Sequence, residues 1–526
     1  MATPTVARST ALMAGATLAS RATGLLRTWV MAYVLGNTLI TSAYQIANNM
    51  PNLVFDLVAG GLLNAAFVPL YMLAAEKRGK EGGDRYASNL LNIIIVVMGS
   101  LSLVAAVFAP QIIATQTFTV GEDAGVTLFA VSFFRLFAIQ MLFYGLGGVF
   151  TAVLNANRVF FLPAVAPAFN NVVVICSFIA YLFISQNDAM LAIYVLGIGT
   201  TLGVAVQFAV QIPALVRQGF KYTPRIDFKD PGLIETIKTG IPMVIYVVGA
   251  LVSFSFRNAF SLETGQEGPS TLLYAWTWFQ LPHGIIAVSL ARALFTEMSD
   301  AAAREDAAGF KRFLHNGISG TLLLIIPFAA LMFVLAAPLM QVFRAGEFNT
   351  EDVQYVASVL GFWVLALPAY SLNMYLFNVF AALRKFWIYA LICTVSCALQ
   401  CTLYALLCGK EGIGIIGVPI ADFVYYCLTT AILLFVLQRL IGSYRMEDSI
   451  RTGLKALGAA LAGAVVTGLL IRFLPLGEGM LAGVGMIALY GGLGLVICFA
   501  LCLLFRVPEM ALVKNALRRI AKRSGE

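Results

Sequence analysis

Long apolar runs broken by short polar clusters set the pattern of this chain from end to end. A membrane-crossing helix needs about 20 consecutive apolar residues, and longer runs tilt or protrude. On that rule the sequence predicts fourteen helices. They lie near 10–35, 40–75, 86–112, 124–155, 160–185, 189–216 and 232–262 in the first half. In the second half they lie near 270–298, 312–341, 352–383, 386–408, 412–440, 450–473 and 480–505. No connection between them is long enough to fold as a domain outside the membrane. The expected fold class is an all-α polytopic membrane protein.

Composition agrees with that reading and excludes a soluble enzyme. Of 526 residues, 60% are hydrophobic and 11% charged, against about 25% charged in soluble domains. Arg21 and Arg27 interrupt the first apolar run and no small-residue cleavage site follows it, so the first helix is expected to be retained. With the N-terminus placed in the cytoplasm, most lysines and arginines fall at cytoplasmic loops or helix ends; Arg344, Lys410 and Arg472 fall outside. The acids Glu122, Asp123, Asp188, Glu263, Glu267, Glu347, Glu351 and Asp352 fall in outer loops. Such a bias predicts both termini on the cytoplasmic side. The net charge of +8 is thus a topology signal first, and a source of attraction for anionic membrane lipids second. Nothing in it calls for nucleic acid. Seven of the eight cysteines lie from Cys393 onward, mostly inside apolar runs, and Cys393, Cys397 and Cys401 share one helix face. They read as soft packing residues. With two histidines and no CxxC, neither a metal nor a cofactor is expected.

Charges inside the spans point to chemistry. Arg21, Arg27, Arg135, Arg257 and Arg292 all fall within predicted helices, and Asp56 is read as the only clear mid-span acid. A charge at the bilayer centre costs roughly 2.5–3.5 kcal/mol on insertion scales, so such residues face a wet cavity or a partner. Arg292 and Arg257 also suit snorkelling toward an interface. Taken together, the excess of cations predicts an anion-binding cavity, and the planar guanidinium fork suits phosphate. Structural pairing is the alternative. Thr17, Arg21, Gly24 and Thr28 form one polar stripe on the first helix, with Arg27 to one side. Pro51, Asn52 and Asp56 in the second helix, with Gln280 and Pro282 in the eighth, are candidates for cavity lining or gating. His283, which follows Pro282, suits a structural role at least as well as a functional one.

A faint internal repeat runs at an offset near 228 residues. Ala109-Pro110 recurs as Ala337-Pro338, and Phe118 as Phe348. Arg158-Val159-Phe160-Phe161 recurs as Arg384-Lys385-Phe386-Trp387, and Tyr44 and Pro51 find Tyr274 and Pro282. The offset spans six helices, an even number, which predicts parallel repeats. The expected division is 1–229 for an N-terminal lobe, 230–449 for a C-terminal lobe, and 450–526 for two extra helices and a basic cytoplasmic tail. Two such lobes predict a V with alternating access.

The sequence also resembles a known family. Ser20-Arg21-x-x-Gly24-x-x-Arg27, Met50-Pro51-Asn52-Leu53 and Ala66-Phe67-Val68-Pro69 are similar to the opening of the MurJ (MviN) lipid II flippases. Leu154-Asn155-Ala156-Asn157-Arg158 with Pro163, Pro167 and Asn171 is similar to the family's fourth-to-fifth helix junction. Leu281-Pro282-x-Gly284 and Phe343-x-x-Gly346-x-Phe348 agree in the same order. The resemblance implies fourteen helices, two lobes, and a terminal pair forming a lipid groove. It also implies a multi-pass protein of the bacterial cytoplasmic membrane that moves lipid II, a polyprenyl-diphosphate-linked glycan, to the outer leaflet for peptidoglycan synthesis. Cell-wall synthesis machinery would be a partner. Departures from the family pattern stand at Thr28, Thr41-Ser42-Ala43, Phe55-Asp56, Ala59-Gly60-Gly61, Ala275-Trp276-Thr277 and Gln280. Among the family's cavity charges only Arg21 and Arg27 carry over; Arg135, Arg257 and Arg292 are expected to replace the lost positive charge. The expected event is transport with no bond made or broken. Rival readings are a flippase for another polyprenyl-diphosphate glycan, a multidrug exporter of the same superfamily, a polyprenyl-phosphate glycosyltransferase and a structural scaffold. The transferase would need catalytic acids and usually a metal-binding loop, and the chain has no Asp-x-Asp and no large outer loop.

Overall fold

A computed structural model describes residues 4–55, 67–121, 124–227, 229, 231–409 and 411–510. The described residues are overwhelmingly helical, and no strand occurs among them. They form two compact units, Met1–Ser270 and Thr271–Glu526.

The first unit begins with α1 (Pro4–Leu35), α2 (Leu39–Phe55), α3 (Val68–Val107), α4 (Ala109–Thr117) and α5 (Gly125–Phe137). It continues with α6 (Gln140–Ala156), α7 (Phe161–Ile184), α8 (Ala189–Ala209), α9 (Ile212–Arg217) and α10 (Pro231–Thr264). The second unit is built from α11 (Gly268–Pro282), which starts just before the boundary, α12 (Val288–Ala303), α13 (Ala307–Val334), α14 (Ala336–Gln341) and α15 (Thr350–Val364). Then come α16 (Leu367–Ala382), α17 (Phe386–Cys408), α18 (Gly417–Ile441), α19 (Met446–Phe473), α20 (Met480–Met486) and α21 (Gly492–Leu504).

Among the described residues nine helices are long and apolar enough to cross a membrane, and two bent pairs, α5 with α6 and α15 with α16, raise the number to eleven. The three expected spans outside this set are 10–35, 40–75 and 270–298. All three carry candidate site residues, and the second runs through residues 56–66, which lie outside the described residues together with Asp56 and Gly60-Gly61. Glu122-Asp123, Lys410 and the tail 511–526 also lie outside them. Helix starts differ too. The third span was expected from residue 86, whereas α3 starts at Val68 and passes a non-helical step at Arg78-Gly79. It stops at Phe108, where Pro110 cannot supply a donor to continue the ladder.

In the first unit the core is centred on Tyr44. Its ring lies edge-on to Phe133 and Phe137 at 5.6 Å each, and 5.7 Å from Phe178. Its hydroxyl meets Thr200 Oγ1 at 3.1 Å. Aromatic pairs of this kind add about 0.5–1.5 kcal/mol each beyond area burial. They tie α2, α5, α7 and α8 together. The α7–α8 contact needs a glycine: a Cβ on Gly203 would lie 2.4 Å from Asn170 Oδ1. Helix α10 packs on α4 through a polar seam, where Asn258 Nδ2 donates to Gln116 Oε1 at 3.0 Å and Gln116 also bonds Ser255. This seam places α10 in the first compact unit, whereas the repeat assigns 230–264 to the second lobe.

The second unit is organised around α13, whose apolar window is 61% buried, against 28–39% for the other eight spanning helices. Tyr274 is fully buried against Phe343 and Phe348, at 5.7 and 5.1 Å. Each unit thus has at its centre one of the two tyrosines that the repeat pairs. Two of the repeat's arginines behave alike as well. Arg158 and Arg384 take φ of 60° and 55°. Each closes its helix with the same pair of bonds: Arg158 N to Asn155 O and Val159 N to Leu154 O, and Arg384 N to Ala381 O and Lys385 N to Phe380 O. This is the Schellman closure, with arginine where glycine is usual. The terminal helices join at a close approach: a Cβ on Gly463 of α19 would lie 2.4 Å from Cys498 Sγ of α21. On its other side α19 reaches α13 through Ser449 and Ser319, 2.9 Å apart.

Candidate functional site

Helix α1 carries threonines and arginines through an apolar environment by satisfying hydroxyls internally. Thr23 Oγ1 donates to Ser20 O at 2.9 Å and Thr28 Oγ1 to Gly24 O at 3.2 Å. Such back-bonding removes the cost of a buried hydroxyl. Arg21 is exposed, Arg27 half-buried and Thr28 buried. Arg27 lies within electrostatic reach of Tyr44 on α2. The face beside Arg21 is fixed from α7. Asn171 Nδ2 donates to Thr23 Oγ1 at 3.1 Å and to Ser20 O at 3.3 Å. A Cβ on Gly24 would stand 3.6 Å from this amide, an ordinary contact distance. Asn171 thus ties α7 to α1 beside the expected polar stripe, a contact that spacing on α1 alone does not reveal.

On α2, Pro51 is buried inside the helix. Its missing N–H interrupts the backbone ladder, and one residue on Asn52 Nδ2 donates to Asn48 O at 2.9 Å. Pro282 has a parallel effect in the second unit, where the helix passes through a π-helical turn at His283–Ala287. Gln280 Nε2 donates to Tyr370 OH at 3.3 Å, and His283 Nδ1 pairs with Ser371 Oγ at 3.1 Å. Tyr370 lies 5.6 Å from Trp276, 4.6 Å from His283 and 5.0 Å from Tyr426. An aromatic cluster therefore surrounds Gln280 and His283.

The other three arginines stand on other helices. Arg135 occupies the last turn of α5, on the exposed side that also carries Leu128 and Ile139. A cation there complements the helix dipole. Arg257 of α10 is half-buried, its guanidinium 4.8 Å from the Phe254 ring centre. Arg292 is exposed on α12, in the second unit. Arg21 and Arg27 share α1; Arg135 and Arg257 stand on other helices of the same unit.

One buried charge was missed. Asp422, 1% exposed on α18, accepts from Trp363 Nε1 at 2.9 Å, from Gln400 Nε2 at 2.7 Å and from Tyr404 OH. Asp56 is therefore not the only acid within the predicted spans. Asp422 stands in the open sequence between Ala421 and Phe423, but its three donors come from α15 and α17, so only folding shows why the carboxylate is tolerated. Among the described residues no group of three or more histidines, cysteines or acids could hold a metal ion.

A family model described as lipid II flippase MurJ matches residues 31–483. The chain belongs to the MurJ family. That match starts beyond Arg27, but relatives of MurJ extend the likeness. A probable lipid II flippase MurJ of Rhizobium tropici is 26% identical over 522 residues, covering 96% of this chain and 95% of the relative. One from Rhizobium meliloti (strain 1021) is 28% identical over 368 residues, covering 69% and 68%. The lipid II flippase MurJ of Burkholderia cenocepacia is 27% identical, covering 68% and 70%. A solved MurJ structure in an inward closed conformation has the same fold, with a TM-score of 0.75 at 22% identity, covering 94% of this chain and 98% of that one. An inward-facing MATE transporter of the MOP superfamily shares the fold at a TM-score of 0.64 and 12% identity, covering 80% and 99%.

Proposed function

We propose that this chain is a flippase that carries lipid II from the inner to the outer leaflet of the bacterial cytoplasmic membrane by alternating access. The observation that carries this reading is the MurJ family match over residues 31–483, joined to two arginines on the family's opening motif. Arg21 and Arg27 hold the diphosphate of the substrate. A guanidinium fork matches phosphate oxygens in pairs and cannot lose its proton in a protein. Asn171 positions this grip by fixing the backbone at Ser20 and the hydroxyl of Thr23. Arg135, Arg257 and Arg292 add positive potential without sharing the α1 stripe. Thr28, Pro51, Asn52, Asp56, Gln280 and Pro282 line or gate the path. No bond is made or broken.

The bias of basic residues supports cytoplasmic termini. Anionic lipids of the inner leaflet and the cell-wall synthesis machinery are the partners in this reading. The experiment is complementation: the host's own lipid II flippase is depleted, and this chain or its Arg21→Ala and Arg27→Ala variants are expressed. Rescue by the wild type and its loss in both variants, at equal membrane abundance, is the expected outcome. Rescue by both variants would remove the arginines from the mechanism.

A further inference from the structure

Helix α19 lies along α13 from Gly453 to Gly468, and small residues make the fit. A Cβ on Gly453 would stand 3.3 Å from Leu322 Cδ1, and one on Gly468 3.2 Å from Val334 Cγ1. Gly494 of α21 is enclosed by both helices. A Cβ there would lie 2.4 Å from Thr467 Oγ1 of α19 and 2.6 Å from Leu331 Cδ2 of α13. A seam packed this closely transmits displacement instead of absorbing it.

Polar groups fix the register of the same seam. Ser319 Oγ donates to Ser449 Oγ at 2.9 Å, and Ser449 Oγ meets His315 Nδ1 at 2.9 Å. After α21, residues 505–510 are stitched to both helices. Lys455 Nζ donates to Phe505 O at 3.0 Å, and Thr452 Oγ1 to Glu509 Oε2 at 2.9 Å. His315 Nε2 stands 3.7 Å from Glu509 Oε1. Val507 and Met510 pack in one apolar cluster with Leu323, Ala456 and Ala459. A second attachment lies ahead of α21. There Arg344 Nη1 donates to Glu478 Oε2 at 2.8 Å, and a Cβ on Gly483 of α20 would lie 2.7 Å from Pro338 O of α14.

We infer that α13, α14 and the terminal helices α19–α21 move as one rigid body during transport, with residues 505–510 as the strap that closes it. None of the alternating-access motion is then taken up between α13 and the terminal helices. Opening the seam would part His315 and Ser319 from Glu509 and Ser449. Ser319 and Ser449 are buried, and the His315 and Glu509 side chains are only 13% and 9% exposed, so each would lose a partner that water does not readily replace. The sequence sets 450–526 apart as two extra helices; the seam makes α19–α21 part of the scaffold of the second unit. The inference rests on the transport reading, which supplies the motion to be divided.

Two cysteine pairs test it, one near each end of the seam: S319C/S449C and V334C/G468C. Each full-length variant is oxidised with copper phenanthroline, and the disulfide is identified by peptide mass spectrometry. Lipid II transfer in proteoliposomes is then compared before and after reduction. The Oγ–Oγ distance of 2.9 Å and the Cβ–Cγ1 distance of 3.2 Å predict that both disulfides form. Transfer by each oxidised variant at the rate of its reduced form is expected. Transfer that collapses on oxidation and returns on reduction would overturn the inference, as would failure of both disulfides to form. Hydrogen exchange gives a readout without transport: residues 505–510 should be protected like the first turns of α19, and rapid exchange there would overturn the strap. Absence of transfer in wild type, with both disulfides formed and the strap protected, would count against the flippase reading alone.

Discussion

At the scale of single residues, the polar groups inside the bundle divide into those that hold structure and those offered for binding. Asp422 belongs to the first kind. Its two oxygens accept bonds from Trp363, Gln400 and Tyr404, so removal would take away an acceptor that three buried groups share. Asp422→Ala should cost on the order of 3 kcal/mol, read as a large fall in the thermal unfolding temperature of the purified protein. Asp422→Asn should lie between, because one of its two positions would present a donor to a donor. Asn171 is smaller in effect. Asn171→Ala removes bonds to Ser20 and Thr23 and should cost about 1 kcal/mol of stability. It should also reduce complementation more than that loss explains, since it loosens the turn that carries Arg21. The arginines of α1 were legible in the sequence because a charge in an apolar run is conspicuous by itself. The partners of Asp422 and the amide at Asn171 were not, because their meaning depends on helices far away in the chain.

At the scale of elements, a polar ladder on α3 holds the connection that follows α9. Asp84, Ser88, Asn89 and Asn92 recur at helical steps and are all buried. Lys221 N donates to Asp84 Oδ2 at 3.2 Å and Thr223 N to Ser88 Oγ at 3.1 Å. Asn92 Nδ2 donates to Thr223 O and Arg225 O, and Asn89 exchanges two bonds with Asp227. The segment 221–227 thus has much of its backbone paired by side chains of α3 rather than by a sheet. At one end Lys221 Nζ meets Glu81 at 2.9 Å in the open, a contact worth little by itself. Asn89→Ala with Asn92→Ala should free the segment and open Lys221 and Arg225 to trypsin, whereas wild type should resist. Cleavage mapped by mass spectrometry decides it, and equal resistance would show that the ladder is dispensable. In sequence these residues read only as a cytoplasmic loop, because a strap paired by side chains has no periodic signature of its own.

At the scale of the whole molecule, membrane class, helix order and family were legible from run length, charge bias and collinear motifs. Those signals survive without tertiary knowledge, since the bilayer fixes span length and the inner face gathers cations. Arg158 and Arg384, which the sequence pairs, close their helices with the same bonds. The packing of α10 was not, because the seam of Gln116, Ser255 and Asn258 joins helices more than a hundred residues apart. The five arginines stand on four helices, with Arg21 and Arg27 together on α1. The central claim is that these two grip a diphosphate in transit. Its most direct test is a reconstituted one: purified wild type, Arg21→Ala and Arg27→Ala in proteoliposomes loaded with lipid II on one leaflet, with arrival on the other leaflet measured by an impermeant lipid II-binding probe. Transfer by wild type and its collapse in both variants is expected. Transfer by either variant at the wild-type rate would contradict the claim.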